Sequence, residues 1–511
     1  MTKIRCSLLF ALSTSFWLLI TLRVAPSMNG IDSYYFRDAG WNLAAYGSFE
    51  SAALANMTDL TPRFFSHYPP IMPLLFAVYA SIFPRNSYGG TIFNFLIALI
   101  ADLVGLVLVM RQPPGKLRSL TALALAMLPV TFVTNDRPEA LGLTLGSLAV
   151  ATAALKKPRP LLTGAMLAVA FLAHPFTAVI AAIWVAALFC SEAWGKMGGW
   201  QRALRLLFVA ASSSLMVLAC VALTYYSIDP TSLSRFLQHA SGADRGIGWL
   251  HVLSDPKRLV DQLCLHVGAI ETVHYVLSYC GLIGIAVWAW IRRKELGPRE
   301  WFPLAASLLC LLCTIFIFPS EPAYPIYIGV FVPYCLLIAN RDSGKLGLPS
   351  MALLLFVMLI GIPSAAISLI QRVEQYPSYL AAKDQPAYLL SKLKSPEDVV
   401  AVEWGSYDIY KPIFHHMVFG YSSGGKDGYK NLAAVANCYQ AFHGDDKVVR
   451  PLPAQLNPAD YRLIQRAPQH LWITLFGQRI MSGQWGYGCD LYVRDGGPDV
   501  RVANVPTQTR K

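Results

Sequence analysis

Long apolar segments recur along most of the chain, and they constrain its fold more than any other feature. Eleven of them are recognised, at residues 7–23, 89–110, 119–133, 140–155, 161–173, 176–191, 206–226, 270–291, 302–319, 324–340 and 347–371. A helix of roughly 20 apolar residues matches the hydrocarbon thickness of a bilayer. Only 14% of the 511 residues are charged, whereas about a quarter are charged in soluble proteins. The pattern predicts an α-helical polytopic membrane protein with about eleven transmembrane helices.

Basic residues mark one side of this arrangement. Lys3 and Arg5 precede the first apolar segment, and further clusters lie in short connections between later segments, at 111–118, 156–159, 196–205, 292–294 and 341–345. The positive-inside rule places such loops in the cytoplasm, which puts the N-terminus inside and the C-terminus outside. The same distribution accounts for much of the net charge of +12 and argues against nucleic-acid binding.

Residues 161–191 allow two interpretations. They form either one long interrupted helix or a hairpin whose outer apex is His174-Pro175. Basic clusters flank the segment on both sides, so the chain has to cross the membrane an even number of times between them. We therefore predict the hairpin.

Two regions are expected outside the membrane. The first outer loop, residues 24–88, contains a predicted helix at 33–47 ending at Gly47, and a second at Ile71–Phe83 that opens after Pro69-Pro70. Residues 372–511 are polar and mixed, with short strand patterns at 398–403 and 470–475. The predicted organisation is a transmembrane domain at 1–371, including the first loop, and a small α/β domain at 372–511.

Two carboxylates in the first outer loop are candidates for chemistry. Asp32 and Asp38 are six residues apart, which on a helix separates them by about 240°. They are thus not expected to form a tight pair; one faces the site and the other is structural, pairing with Arg37 or capping the helix. Asp32 also stands where an aspartate can cap the helix N-terminus.

Several basic residues are expected on the outer side. Their positive charge would suit the binding of an anionic group such as a phosphate. The candidates are Arg63, His67, Arg137, Lys257 and Arg258, with Glu321 as a residue that orients a sugar. Other roles are open: Arg137 has Asp136 and Glu139 beside it, and Lys257 and Arg258 are suited to membrane lipid headgroups.

Cysteines give one further expectation. Of the ten, Cys438 and Cys489 fall in the polar C-terminal region, where an external location favours a disulfide between them. No metal-binding pattern is present in the sequence; a divalent metal is compatible with the site, but no clear ligand set identifies one, and no other cofactor is indicated.

The first-loop residues Asp32, Tyr35, Ala39, Leu43 and Gly47 form a pattern of acid, tyrosine, alanine and glycine. It resembles the GT-C superfamily of polyprenyl-phosphate-sugar glycosyltransferases, which includes protein O-mannosyltransferases and the lipid A aminoarabinose transferase. The turn at residues 67–70, with Arg137-Pro138-Glu139 and His174-Pro175, is also similar. Two differences from the family are Ile31 and Ser33 in place of a second acid beside Asp32, and Tyr68 in place of lysine before the prolines.

The resemblance implies an inverting transfer of a sugar from a polyprenyl-phosphate donor to a lipid, glycan or protein acceptor. Asp32 would be the base, or would orient the acceptor, and Tyr35 would lie at the substrate. The implied location is a bacterial inner membrane with the site facing the periplasm, as in enzymes that modify lipopolysaccharide or glycolipids. A transporter or flippase of lipid-linked sugars is the main alternative, and a membrane scaffold is another.

Overall fold

A computed structural model shows a mostly helical chain with a smaller β-sheet region near its C-terminus. It describes residues 3–26, 32–51, 69–111, 119, 139–155, 157–194, 196–234, 269–317, 332, 335–339, 345–374, 376–402, 406–419, 432–443, 446–449, 452, 456–466, 473–475, 478–481 and 485–495. Contacts divide the chain into two compact units. The first comprises Met1–Ile20, Ser66–Met72 and Ile92–Ser368, and the second comprises Thr21–Phe65, Pro73–Thr91 and Leu369–Lys511.

Among the described residues up to position 374, eleven helices follow one another along the chain. They are α1 (Lys3–Arg23), α2 (Asp32–Tyr46), α3 (Ile71–Ile82), α4 (Gly89–Arg111), α5 (Glu139–Ala153), α6 (Pro160–Ala173), α7 (Pro175–Ala193), α8 (Gly199–Ile228), α9 (Ala269–Ile291), α10 (Pro298–Ile317) and α11 (Gly347–Glu374). Within the first unit, α5 to α8 pack on one another and α10 packs on α7. Their core is apolar and includes the fully buried Trp184 and Phe189.

Nine of the eleven predicted apolar segments coincide with helices among the described residues. Segment 119–133 is described only at residue 119, and segment 324–340 only at residues 332 and 335–339. Three of the described helices are long and apolar enough to cross a membrane by length and composition, namely Lys3–Arg23, Pro175–Ala193 and Gly199–Ile228.

The chain breaks at His174, as the hairpin interpretation predicts. His174 has extended backbone angles between the end of α6 and the start of α7, and Pro175 occupies the first turn of α7, where a missing N–H costs nothing. The two helices pack against each other. The predicted inner end of α6 also meets that of α5, since the hydroxyls of Thr163 and Thr152 are 2.8 Å apart.

Other predicted inner ends are also close together. An ion pair of 2.5 Å joins Glu192, near the end of α7, to Arg299, at the start of α10. The Lys345 ammonium donates to the Glu295 carbonyl oxygen at 2.5 Å. These contacts join connections that the distribution of basic residues assigns to the same side of the membrane.

The second unit contains α2, most of α3 and the C-terminal sheet. Its further helices are α12 (Tyr376–Ala382), α13 (Gln385–Leu390) and α14 (Tyr407–Tyr410). Its strands are β1 (Val400–Val402), β2 (Met417–Phe419), β3 (Ala434–His443), β4 (Asp446–Val449), β5 (Tyr461–Gln465), β6 (Ile473–Leu475), β7 (Gln478–Met481) and β8 (Trp485–Arg494). The predicted division placed residues 24–88 with the transmembrane domain, whereas much of that loop clusters here with residues 369–511.

A mixed sheet forms the C-terminal part of this unit. Five strands follow the order β2-β1-β3-β8-β5, and β4 pairs with β3 beyond that path. β1 is parallel to β2 and β3, while β8 is antiparallel to β3 and β5. A disulfide between Cys438 of β3 and Cys489 of β8 joins the two central strands. The side-chain amide of Gln385 pairs with both the N–H and the carbonyl of Cys489, each at 2.9 Å.

Two glycines allow α2 to end and to pack. Gly47 has φ of +72°, and its N–H bonds to the Leu43 carbonyl at 3.1 Å, so a left-handed residue terminates the helix as predicted. Gly40 faces α3 so closely that an added Cβ would lie 2.5 Å from the Pro73 carbonyl oxygen. Trp41 then meets Phe76 edge-to-face at 5.5 Å.

Hydrogen bonds tie the start of the first loop to the end of α11 within this unit. Arg372 donates to the carbonyls of Ala25 and Thr21, at 2.7 and 3.3 Å. Nearby, Tyr88 donates to the Val24 carbonyl at 2.8 Å. The end of α1 and the end of α11 are consequently fixed beside each other.

Candidate functional site

The proposed base stands at the beginning of a helix. Asp32 is the first residue of α2, and the partial positive charge of a helix N-terminus favours an anionic carboxylate there. Tyr35 follows one turn later; the structure describes the backbone of both residues but not their side chains. Since Asp32 and Asp38 belong to one helix, their backbone positions are about 240° apart around its axis in the direction of the chain.

Asp38 lies in a sealed network of hydrogen bonds. It is fully buried. Its Oδ1 accepts from the Tyr407 hydroxyl at 2.8 Å and pairs with the Lys411 ammonium at 2.7 Å. Its Oδ2 accepts from the Ser51 hydroxyl at 2.6 Å. Both carboxylate oxygens therefore have partners from the protein itself.

The Lys411 ammonium also has a partner for each of its N–H donors. In addition to Asp38, its ammonium donates to the Asn42 side-chain oxygen at 2.7 Å and to the His415 carbonyl at 3.0 Å. A lysine has three N–H donors and no acceptor, so these contacts account for all three. Asp38 and Asn42 are four residues apart, one turn of α2, and Lys411 bridges them from the C-terminal part of the unit.

A second buried ion pair lies beside the first. The Arg37 guanidinium is 3.1 Å from the Asp408 carboxylate, and it lies over the ring of Phe76 at 5.9 Å. Its other side is occupied by the backbone of Gly90, where an added Cβ would be 1.0 Å from Nη1. The absence of a side chain at Gly90 is therefore what makes room for the arginine.

The four charges of this network sum to zero. Arg37 and Lys411 are cations, Asp38 and Asp408 are anions, and all four are buried. Isolated charges in such surroundings would be prohibitively costly, whereas paired and hydrogen-bonded ones are tolerated. The sequence offered Arg37 as the pairing partner of the structural acid, or a capping role for it. In the structure Asp38 pairs with Lys411, and Arg37 pairs with Asp408.

Burial also controls the protonation of Tyr407. Loss of solvent raises the pKa of its phenol well above the ordinary value, and the negative charge of Asp38 raises that pKa further. Tyr407 consequently remains a hydrogen-bond donor at any physiological pH. Near the end of α2, partial burial raises the pKa of Tyr46 to about 12, and its ring packs against His415 at 4.2 Å.

The raised pKa of Tyr407 predicts how its ionisation couples to stability. The unfolded phenol releases its proton near pH 10, while the folded one keeps it. The free energy of unfolding therefore falls as pH rises above about 10, and Tyr407→Phe removes this contribution. In the folded protein, the tyrosinate absorbance of the wild type and of Tyr407→Phe should coincide between about pH 9 and about pH 11. A smaller folded-state increase in the variant contradicts the prediction.

The remaining candidate residues from the sequence lie outside the part of the chain that the structure describes. They are Arg63, His67, Arg137, Lys257, Arg258 and Glu321. Within the described part of the chain, no group of three or more histidine, cysteine, aspartate or glutamate side chains is arranged to hold a metal ion.

Sequence reasoning missed most of the partners in the buried network. Tyr407, Asp408 and Lys411 belong to a segment with no recognisable motif, and Tyr407 is 369 residues from Asp38. One signal was available: Arg37, Asp38, Trp41 and Asn42 share one face of α2. A tryptophan on a helix face is expected to pack against the protein, and charges that are buried beside it need partners.

Comparison with known proteins gives matches only among solved structures. No family model matches the chain, and no curated protein does. The archaeal oligosaccharyltransferase AglB from Archaeoglobus fulgidus, in complex with an inhibitory peptide and a dolichol-phosphate, is 12% identical, with a TM-score of 0.40 over 85% of this chain and 69% of that chain.

A second protein is matched more evenly along both chains. ArnT from Cupriavidus metallidurans, bound to undecaprenyl phosphate, is 15% identical, with a TM-score of 0.45 over 83% of this chain and 87% of that chain. Its apo form is matched at 13% identity and a TM-score of 0.40. An oligosaccharyltransferase and ArnT are thus among the solved structures to which this chain is similar.

Proposed function

We propose that this protein is an inverting glycosyltransferase that moves a sugar from a polyprenyl-phosphate donor to a lipid, glycan or protein acceptor at the outer face of a bacterial inner membrane. The observation that carries the proposal is the environment of Asp38, the second acid of α2. Asp38 is buried and fully engaged in pairing, which leaves Asp32, at the start of the helix, as the acid of α2 for chemistry.

The proposed reaction uses Asp32 as general base. Its carboxylate takes the proton of an acceptor hydroxyl while the hydroxyl oxygen attacks the anomeric carbon of the sugar. The bond from that carbon to the phosphate oxygen breaks, and the polyprenyl phosphate leaves with the electron pair. Arg63, His67, Arg137, Lys257 and Arg258 are proposed to stabilise the departing phosphate, with Tyr35 and Glu321 at the sugar or the acceptor.

The orientation is supported by the contacts inside the second unit. Lys411 of the C-terminal segment pairs with Asp38 of the first loop at 2.7 Å, and Arg372 bonds to the end of α1. Both regions must then lie on the same side of the membrane, so an even number of crossings separates them. The ten spans predicted between residues 89 and 371 meet this condition. The Cys438–Cys489 disulfide agrees with an oxidising, external compartment.

Asp32→Asn tests the proposal directly. We expect it to abolish transfer, because an amide cannot accept the proton, while protein abundance stays at the wild-type level. A strain lacking the protein is complemented with wild type or variant, and its lipopolysaccharide, glycolipids and polyprenyl phosphates are compared by mass spectrometry. The expected result is one missing sugar-sized increment in both the deletion strain and the Asp32→Asn strain.

Glu50→Gln is the matched control, since it makes the same carboxylate-to-amide change in the same loop. The Glu50 carboxylate accepts a local bond from the Ser48 hydroxyl at 3.1 Å. Its backbone carbonyl accepts from the Asn42 side chain at 2.7 Å, a bond that the substitution leaves in place, and the control should restore the increment fully. Restoration by Asp32→Asn as well would contradict the proposed base. Accumulation of an unflipped lipid-linked sugar in the deletion strain, without a missing increment in any acceptor, would indicate a transporter instead.

A further inference from the structure

Lys411 holds α2 from outside the first loop. Its ammonium bridges Asp38 and Asn42, one turn apart, and is itself anchored to the His415 carbonyl within its own segment. Tyr407, one turn before Lys411, bonds to the same carboxylate. The C-terminal segment, residues 407–411, therefore holds two successive turns of α2 by hydrogen bonds and an ion pair.

Directional bonds fix the rotation of a helix more closely than apolar contacts do. An apolar face tolerates small rotations because contacts of similar size replace one another. A buried carboxylate that loses its ammonium partner has no such substitute. On α2, Arg37, Asp38 and Asn42 are each held by a residue between 408 and 411, and Trp41 on the same face packs on Phe76.

Asp32 belongs to the same rigid helix, six residues before Asp38, or about 9 Å along the axis. A side chain about 6 Å from the axis moves by about 2 Å when the helix rotates by about 20°. Misplacement of a catalytic group by about 1 Å is sufficient to slow a reaction about 100-fold. The position of a base at residue 32, and with it the transfer rate, therefore depends on the rotation of α2 about its axis.

We propose that Lys411 is a positioning residue for the Asp32 carboxylate, so that the C-terminal domain sets the geometry of a site in the first loop. The inference rests on the proposed function, since it requires Asp32 to be the base. It assigns to the C-terminal domain an indirect part in the transfer step, through the rotation of α2.

The experiment has to separate positioning from folding. The neutral pair Asp38→Asn/Lys411→Met removes both charges together, so no buried charge is left alone. Folding is read by the fraction of the Cys438–Cys489 disulfide, from the mobility of alkylated protein on non-reducing gels, and by monodisperse extraction in detergent. Transfer is the rate at which the sugar increment appears after induction, per amount of folded protein. We expect wild-type folding with transfer reduced on the order of 100-fold.

A second measurement detects whether Lys411 acts through Asp32. Asp32→Glu lengthens the acid by one methylene, and its effect on the rate is measured in the wild type and in the neutral pair. Independent residues give the same factor in both backgrounds, whereas coupled residues do not. We expect Asp32→Glu to slow transfer by a smaller factor in the neutral pair than in the wild type. When α2 is displaced, the distance that the side chain at position 32 has to span changes.

Asn42→Ala is the milder variant should the neutral pair fail to fold. It leaves the Asp38–Lys411 ion pair in place and removes the Lys411–Asn42 bond of the bridge, together with the bond from Asn42 to the Glu50 carbonyl. We expect a smaller decrease in transfer with unchanged disulfide formation. Full transfer in a folded neutral pair, or equal factors for Asp32→Glu in the two backgrounds, overturns the positioning role. Retained transfer in Asp32→Asn overturns the proposed function itself, so the two failures are distinguishable.

Discussion

Arg37→Met is expected to lower the free energy of unfolding of the second unit by about 3–5 kcal/mol. The variant leaves the Asp408 carboxylate buried without the guanidinium that lies 3.1 Å from it. It also removes the cation from the face of Phe76 and opens space over Gly90. An unpaired buried charge and an underpacked site act in the same direction, so the effect should be large.

The same unit offers a matched control. Arg462 pairs with Asp495 at 3.3 Å, but both side chains are more than half exposed, at 68% and 56%. Exposed ion pairs contribute about 0–1 kcal/mol, because water screens the charges and the side chains lose entropy when they pair. Arg462→Met should therefore unfold close to the wild type.

Thermal unfolding of the purified full chain in detergent, followed by loss of monodispersity, compares the two variants. Arg37→Met combined with Asp408→Asn leaves no buried charge unpaired in that pair and should recover a substantial part of the loss. Equal midpoints for Arg37→Met and Arg462→Met would mean that the buried pair contributes no more than a surface one.

The local parts of this fold were predictable because they depend on neighbouring residues. The end of α2 follows from Gly47, whose φ of +72° suits a residue without a Cβ. The break at His174 follows from Pro175, which cannot continue a preceding helix but can begin the next. The start of α3 at Ile71 follows the pair Pro69-Pro70 in the same way.

The candidate site was predictable only in part, because its partners are distant in sequence. The first-loop pattern indicated Asp32 and Asp38, and helical geometry indicated that the two have different roles. The identity of the Asp38 partner could not be deduced, since Lys411 lies 369 residues beyond Asn42, its other partner on α2. The simplest local expectation was that Asp38 pairs with the adjacent Arg37, yet Arg37 forms an ion pair with Asp408. Charge pairing across a fold is decided by topology, which composition and periodicity do not specify.

Gly164→Ala is expected to destabilise the first unit, whereas Gly284→Ala is not. Both glycines lie in apolar helices, α6 and α9. A Cβ at Gly164 would be 2.1 Å from the carbonyl oxygen of Ala210 in α8, while a Cβ at Gly284 meets nothing within 4 Å. The Ala210 carbonyl is backbone and cannot rotate away, so α6 and α8 would have to separate. That separation would also break the bond from Ser214 to the Gly164 carbonyl, at 2.6 Å.

Small residues at helix crossings are the usual means of close packing in membranes, and overpacking such a site costs about 1–3 kcal/mol. At an open helical position, alanine instead gains about 0.5–1 kcal/mol over glycine. The two variants should therefore shift the detergent unfolding midpoint in opposite directions, with Gly164→Ala below the wild type and Gly284→Ala at or above it. If Gly164→Ala is tolerated, α6 and α8 are further apart than the structure has them, where an added Cβ at Gly164 would be 2.1 Å from the Ala210 carbonyl oxygen. Because the two substitutions are chemically identical, only the packing at each position can separate their effects.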